Sequence, residues 1–313
     1  MGPELTDLHE ITEQKISPVL LEECAEWLAT MDWDFSQTAD LVRKYTRMRA
    51  LDGAALLDRG EVAGYGYSVV DDGKAVIGNL YVRPPWRGAD NELRLFHAML
   101  DDILRAPSVR RIESQLMTVE TASARAIQRE RFLRLYERTL MFLADPVPAF
   151  PPLSRLNVRM DHWSPYHLDA AASVMSMAYQ GHVDAQINDQ YRTLEGSRKF
   201  IQNLLEYPGC GAFFAPASFL AVDRSSGAAV GLVMASFVSE GTGHISQLCI
   251  IPSAQRSGLG LELLQQSINV LVAYGSKKIS LTVTVSNTAA LLLYESCGFR
   301  RSHDFHAYVW EAD

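Results

Sequence analysis

Hydrophobic and polar residues in the second half of the chain follow two different periods. Apolar residues recur at steps of three and four over residues 261–273, which predicts a helix with one buried face. Over residues 279–285, apolar and hydroxyl side chains alternate without a break, as in a strand with two unlike faces. A second helix is predicted over residues 288–296, with Ser286 or Asn287 as its cap. These elements indicate a mixed α/β unit.

Shorter apolar segments separated by turns come before these elements. The predicted strands are residues 219–222, 229–235 and 244–250, and Gly227 and Gly241 mark the turns between them. The first half of the chain repeats the same order, with predicted strands at residues 54–57, 62–65 and 75–82.

The two halves also share a register, which is kept over about seventy residues. Equivalent residues lie 168 positions apart in the pairs Gly73 and Gly241, Ile77 and Ile245, Leu80 and Leu248, and Pro84 and Pro252. They lie 167 positions apart in the pairs Gly64 and Gly231, and Phe132 and Phe299. A spacing this constant predicts a duplicated domain.

A proline-rich segment separates the two repeats. Residues 145–152 contain four prolines, which remove backbone donors and favour extended chain. We therefore expect a first domain at residues 1–145, a linker at residues 146–152 and a second domain at residues 153–313.

The stretch after the strand at residues 244–250 is the most informative for chemistry. It runs through Pro252 into a loop, Gln255 to Gly260, in which Gly258 and Gly260 are separated by one residue before a helix starts. Glycine lets the backbone approach a ligand closely. The first amides of a helix have no internal partners and lie at its positive end, so the loop suits a pyrophosphate. The glycines alone would also fit a plain helix entry.

The motif Gln-x-x-Gly-x-Gly after a strand resembles the pyrophosphate-binding motif of the GNAT superfamily of acyl-CoA N-acyltransferases. The stretch from Leu281 through Asn287 and Tyr294 to Phe299 is similar to that superfamily's second motif. The resemblance covers residues 231–299. It implies the tandem type of these proteins, with two GNAT-like domains. Each would be a mixed, largely antiparallel twisted sheet flanked by helices, and the N-terminal half would be degenerate.

The resemblance also implies roles for individual residues. Backbone amides would bind the pyrophosphate of acetyl-CoA, the acyl donor, at Gln255, Arg256, Ser257, Gly258, Leu259 and Gly260. Main-chain groups would pair with its pantetheine arm, like an added strand, at Leu248, Cys249 and Ile250. Asn287 would contact the same molecule as well as capping a helix, and Tyr294 would protonate the leaving thiolate. No metal is implied.

The general base is less well defined by the sequence. Many relatives have a glutamate where this chain has Gln247, which cannot titrate. His244 on the same strand has a suitable pKa range, and a chain of water molecules is the alternative. If His244 is the base, His244→Ala should lower the rate at pH 7 and flatten the acid limb of the pH profile.

The acceptor is expected to be the amine of a small molecule. The segment that selects it in relatives corresponds to residues 178–191, where Asp184 and Asp189 would suit a cationic amine. The segment could equally be a solvated connection. The resemblance predicts acetyl transfer by direct attack in a ternary complex. Two alternatives stay open: a non-catalytic acyl-CoA-binding regulatory module, and a protein N-acetyltransferase.

The first half departs from the motif. With the constant spacing, Arg87 aligns with Gln255, and Asp90 and Glu92 replace the two glycines. Acidic side chains there would repel a pyrophosphate. We therefore predict that this half does not bind acyl-CoA, and instead packs against the second half or forms a wall of its substrate cleft.

Composition narrows the function further. The formal net charge of −8 argues against a nucleic acid partner. The four cysteines lie far apart, which is unlike a metal site or a disulfide framework and fits a cytoplasmic protein. The start lacks the pattern of a secretion signal, and no apolar run has the length of a membrane span, so a membrane partner is not expected.

Overall fold

The computed structural model describes residues 2–119, 121–131, 133–144, 147–148, 150–151, 156–207 and 209–312. The chain forms two compact units. The first contains the residues up to Arg138 together with those from His303 onward, and the second runs from Thr139 to Ser302.

Within its described residues, the first unit contains four α-helices, five complete strands and parts of two others. The helices are α1 (Glu13–Met31), α2 (Ser36–Arg47), α3 (Ala89–Arg105) and α4 (Thr121–Arg131). The strands are β1 (Glu4–Asp7), β2 (Asp52–Asp58), β3 (Glu61–Asp71), β4 (Lys74–Val82), β5 (Arg111–Leu116), the start of β6 (Arg134–Leu143) and most of β13 (Arg300–Glu311).

The sheet of the first unit is antiparallel from β1 to β4, while β5 runs parallel to β4 and β13 runs antiparallel to β5. One face of this sheet is covered by α3 and α4, and the core there includes Phe96, Leu100 and Ile127. Tyr308 of β13 belongs to the same core.

In the second unit, the residues that the structure describes form five α-helices and the remaining strands. The helices are α5 (Leu168–Ala178), α6 (Asp184–Ile187), α7 (Leu194–Glu206), α8 (Leu259–Ala273) and α9 (Thr288–Ser296). The strands are β7 (Val158–His162), β8 (Ala212–Phe213), β9 (Phe219–Asp223), β10 (Ala229–Ser239), β11 (Thr242–Ile250) and β12 (Lys278–Thr284). The end of β6 lies beside β12.

The sheet of the second unit has the same pattern, antiparallel from β7 through β9 and β10 to β11, with β12 parallel to β11. Helices α8 and α9 pack on one face around Leu264 and Ile268. Helices α5 and α7 pack on the other face around Met175 and Ile201. The predicted fold class, mixed sheets flanked by helices, is confirmed.

The compact units and the predicted sequence domains differ in where two strands belong. Met141 and Leu143 of β6 are part of the core of the second unit, although they precede the predicted linker. Conversely, His306 to Glu311 of β13 pair with β5 of the first unit. The sequence repeats are contiguous in the chain, whereas the compact units are defined by contacts in space. The last strand of each repeat is therefore at least partly a member of the other compact unit.

The predicted linker at residues 146–152 lies partly outside the described residues, at positions 146, 149 and 152. Its Phe150 is fixed to α8. The amide of Phe150 donates to Asn269 Oδ1 at 3.2 Å, and Asn269 Nδ2 donates to the carbonyl of Phe150 at 2.9 Å. Among the described helices, none combines the length and apolar character needed to cross a bilayer.

Candidate active site

Two neighbouring parallel strands of the second unit separate at their carboxyl ends. The pairing of β11 with β12 runs from Thr242 opposite Lys278 to Ile245 opposite Leu281. Within the described residues it stops there, so residues 246–250 have no strand partner on that side. Ser246 is an extra residue in the ladder with β10. Such a bulge bends its strand, which accounts for the opening.

The open edge lies where the sequence predicted contacts with the pantetheine arm. The side chains of Leu248 and Ile250 pack toward α8, and that of Cys249 packs toward α5. Main-chain groups are therefore what this part of β11 can offer a ligand. Burial raises the pKa of Cys249 to about 12, so it stays a thiol and is no nucleophile at neutral pH.

The loop between β11 and α8 has a fixed shape. Gln255 Nε2 donates to the carbonyl of Ile250 at 3.1 Å, and Ser257 Oγ donates to the carbonyl of Ala254 at 2.7 Å. Arg256 and Gly258 both have left-handed backbone angles, with φ of 58° and 94°. For Gly258 this conformation explains the residue type.

This shape leaves a group of main-chain donors unused. Within the described residues, no hydrogen-bond partner is found for the amides of Arg256, Ser257, Gly258, Gly260 and Leu261. Two predicted donors are occupied: the amide of Gln255 bonds to Pro252, and that of Leu259 to Ser257 Oγ. Free amides at the positive end of a helix form an anion site that fits a diphosphate.

Gly260 is not explained by packing within the protein. A Cβ built at this position would meet Ile250 and Leu293 at 3.7 Å, which is ordinary contact. Inside a helix, glycine costs about 1 kcal/mol relative to alanine. The absence of a side chain at Gly260 leaves room for a ligand close to the first turn of α8.

Helix α9 holds two of the predicted site residues. Asn287 caps the helix, since its Oδ1 accepts from the amide of Ala290 at 3.2 Å, and this leaves its NH₂ group for a ligand. Tyr294 is 8% exposed, and its ring centroid lies 6.0 Å from that of Phe299.

A hydrogen-bonded chain of neutral groups lies on the α5 side of β11. The Tyr179 hydroxyl donates to Gln247 Oε1 at 2.7 Å, and Gln247 Nε2 donates to the Tyr191 hydroxyl at 3.3 Å. The two tyrosine rings stack at 4.4 Å. Burial, and next the nearby Tyr191, Cys249, Asp184 and Tyr294, raise the pKa of Tyr179 well above its ordinary value. Tyr179 therefore keeps its proton at neutral pH and donates it to Gln247 in a hydrogen bond.

The sequence missed this chain of contacts. Tyr179 and Tyr191 come from the segment at residues 178–191, which was expected near the site for its acids, not its phenols. These tyrosines meet Gln247 only in the folded chain, and no periodic pattern in the sequence indicates the contact. The same segment is tied to β12 because Thr284 Oγ1 donates to Asp184 Oδ1.

His244 lies in the paired part of β11, opposite Ser280 of β12. It is 3% exposed, and its Nδ1 is 2.9 Å from Ser280 Oγ. The separated strand ends start after it. Its role as a base remains a prediction.

The first unit has a shorter loop at the equivalent place. Arg87 Nε donates to the carbonyl of Val82 at 3.0 Å, as Gln255 does to Ile250. However, α3 starts directly after Gly88, whereas Arg256 and Ser257 intervene before Gly258. The predicted alignment of Asp90 and Glu92 with the two glycines is wrong, because a constant spacing was carried across two missing residues.

Glu92 is not at the surface of this loop. It is 1% exposed and accepts a hydrogen bond from Ser123 of α4. Arg87 instead forms an ion pair of 2.7 Å with Glu26 of α1. The equivalent loop of the first unit is thus two residues shorter, and its Arg87 is paired with a carboxylate of the same unit. Among the residues that the structure describes, no cluster of acids, cysteines and histidines is able to hold a metal ion.

Comparison with known proteins agrees with this geometry. Residues 185–299 match the family described as "Acetyltransferase (GNAT) family". Over these residues the second half of the chain is therefore similar to the GNAT acetyltransferase family. The match includes the separated strands, the amide-lined loop and α9.

Curated relatives of the GNAT domain are similar over shorter stretches. A mycothiol acetyltransferase of Kocuria rhizophila is 40% identical over 65 residues, which are 21% of this chain and 22% of that protein. The N-alpha-acetyltransferase daf-31 of Caenorhabditis elegans is 38% identical over 84 residues, 25% of this chain and 46% of that protein. The chain therefore spans less than half the length of these two relatives.

Solved structures extend the likeness in fold to the whole chain. One is a GCN5-related N-acetyltransferase from Sphaerobacter thermophilus, which superposes on this chain with a TM-score of 0.70 at 19% sequence identity. The alignment covers 99% of this chain and 97% of that protein. A tandem GNAT protein from the clavulanic acid biosynthesis pathway covers 99%, with 98% of its own chain, a TM-score of 0.62 and 13% identity. The fold is thus that of tandem GNAT proteins.

Proposed function

We propose that the second unit transfers an acetyl group from acetyl-CoA to a primary amine by direct attack in a ternary complex. The observation that carries this proposal is the group of unused amides at Arg256, Ser257, Gly258, Gly260 and Leu261, next to the unpaired edge of β11. Together they match the two polar parts of the donor: a diphosphate and an amide-containing arm.

In this proposal separate segments of the chain bind the diphosphate, align the arm and supply a proton. The loop from Gln255 to Gly260 holds the diphosphate, and the edge at Leu248 to Ile250 aligns the arm with its thioester toward α9. The amine attacks the thioester carbon, and the carbon–sulfur bond breaks. Tyr294 gives its proton to the leaving thiolate. From reference pKa values of about 10 and 8.5, this transfer is uphill by about 2 kcal/mol.

The attacking amine must be neutral, and Gln247 cannot take its proton. Its neighbours Tyr179 and Tyr191 are phenols in a neutral chain of hydrogen bonds. The proton therefore leaves through water molecules or through His244.

For the acceptor we propose a small-molecule amine, in line with the mycothiol acetyltransferase among the relatives. A second candidate is the terminal amine of a protein, which the relatives named N-alpha-acetyltransferase favour. Gln247 in place of an acid favours a third role, a non-catalytic acyl-CoA-binding module.

These candidates are separated by following thiol release from acetyl-CoA with a panel of amines. The panel contains ethanolamine, glucosamine, spermidine and a peptide with a free amino terminus. We expect release above the hydrolytic background with at least one small amine. Release with the peptide alone would favour the protein acceptor. Tight acetyl-CoA binding without release for any amine would favour the non-catalytic role.

A further inference from the structure

A carboxylate and an imidazole lie side by side at the separated end of β12. Thr284, the last residue of β12, donates its hydroxyl hydrogen to Asp184 Oδ1. Within the described residues, the second oxygen of Asp184 makes no hydrogen bond, since His182 Nδ1 is 3.6 Å away. The Asp184 side chain is 17% exposed, so the protein does not enclose it completely.

The neighbouring imidazole has a defined hydrogen-bonding role. The amide of Asp184 donates to His182 Nδ1 at 3.1 Å. A neutral imidazole has one donor and one acceptor nitrogen, so the proton of His182 is on Nε2. The side chain is 31% exposed, and its ring meets the Tyr179 ring edge-on at 5.3 Å. An anion and an N–H donor are thereby presented together.

This pair lies near the groups assigned to the chemistry. Asp184 is bonded to Thr284 at the end of β12, and the ring of its neighbour His182 packs against that of Tyr179. Tyr179 in turn is bonded to Gln247 on β11. A molecule held by Asp184 is therefore close to the separated ends of β11 and β12.

We propose that Asp184 and His182 form the acceptor subsite, for a primary amine with a hydroxyl or carbonyl oxygen on the neighbouring carbon. The Asp184 carboxylate receives the ammonium group in a charge-assisted hydrogen bond. The His182 Nε2–H donates to the oxygen. This inference rests on the proposed function and adds the class of acceptor.

The test compares two amines that differ in one atom, ethanolamine and n-propylamine. Their binding to the full chain with coenzyme A is measured by saturation-transfer difference NMR, which needs no turnover. We expect the parent to bind ethanolamine at least tenfold more tightly. Asp184→Asn should weaken both amines at least tenfold. His182→Ala should weaken ethanolamine alone, to the level of n-propylamine.

Glu206→Gln is the matched control, since it removes one carboxylate charge from an exposed position at the end of α7 and should leave both affinities unchanged. Coenzyme A affinity and thermal unfolding show whether each variant is folded. Equal binding of the two amines by the parent, or unchanged binding in Asp184→Asn, would overturn the subsite. Because binding is measured apart from thiol release, a chain that binds as expected but releases no thiol would instead contradict the proposed function.

Discussion

Glu23 is a buried carboxylate in the core of the first unit, with no cation among its hydrogen-bond partners. It is fully buried and accepts hydrogen bonds from Tyr65 at 2.6 Å, Asn79 and Trp27. Asn79 occupies the place that Gln247 has in the second unit, next to the bulge of its strand. Desolvation outweighs the three hydrogen bonds and raises the pKa of Glu23 from 4.5 to about 7.

This raised pKa predicts a loss of stability with rising pH. The folded state binds the extra proton below its pKa of about 7, whereas the unfolded chain releases it near 4.5. The stabilisation is complete below pH 4.5 and is lost as the pH rises through 7, by on the order of 3 kcal/mol.

Glu23→Gln keeps the shape of the side chain. It should flatten the fall of the free energy of unfolding with pH, measured by urea unfolding between pH 4.5 and 7.5. Glu61→Gln, on the exposed end of β3, should keep it. A parent-like slope in Glu23→Gln would refute the assignment.

Tyr294 gives a second prediction at the scale of a single residue. Tyr294→Phe removes the proposed proton donor but keeps the ring, which is buried beside Phe299. General acid catalysis contributes about 100-fold or more. We expect kcat to fall by that factor while the Kd of acetyl-CoA stays the same. Tyr274→Phe, at an exposed tyrosine after α8, should not change kcat. If kcat survives in Tyr294→Phe, the thiolate leaves without this phenol.

The entry to α8 is the element to which we assign binding of the donor's diphosphate. Gly260→Glu introduces a side chain that the protein has room for, since its Cβ would make contacts of 3.7 Å. Replacing a helical glycine and placing an acid in the first turn both stabilise the helix, by about 0.3–1 kcal/mol each. The same acid repels a diphosphate. We therefore expect a higher Tm and an acetyl-CoA affinity lowered at least 100-fold, measured by calorimetry.

Ala273→Glu serves as the control for this variant. It adds the same charge at an exposed position of the same helix, about 20 Å further along. Its acetyl-CoA affinity should equal that of the parent. Unchanged affinity in Gly260→Glu would mean that the diphosphate is bound elsewhere.

Elements with local start and stop signals could be predicted from the sequence. Helix α9 has its predicted bounds, because Asn287 caps it and Gly298, with φ of 96°, ends it. The loop before α8 was recognised for the same reason, since its glycines and its position after a strand are local features. The bulge at Ser246 was not predicted, because it exists only relative to β10. The neutral chain through Gln247 likewise depends on residues far apart in sequence.

At the scale of the whole molecule, we expect the two repeats to differ in whether they bind the donor. The loop of the first unit lacks two residues, and its Arg87 is paired with Glu26 of α1. Tyr67 also covers the bulge there, since a Cβ at Gly78 would meet its ring at 2.3 Å. We expect calorimetry to give one acetyl-CoA per chain, and Gly260→Glu to remove that single binding event. A second site that persists in this variant would show that the first unit binds the donor.

The exchange of last strands predicts that a substitution near the chain end destabilises the first unit. Tyr308 of β13 is 2% exposed, and its ring lies 5.4 Å from Phe96 of α3. Tyr308→Ala should cost about 3–5 kcal/mol, as for other large buried side chains. Because cooperative units open together, faster hydrogen exchange should appear in β4 and β5 while α8 keeps its protection. Tyr166→Ala, at a side chain that is 95% exposed, should leave both unchanged. Loss of protection confined to α8 and β12 would instead assign the last strand to the second unit, as chain order alone had predicted.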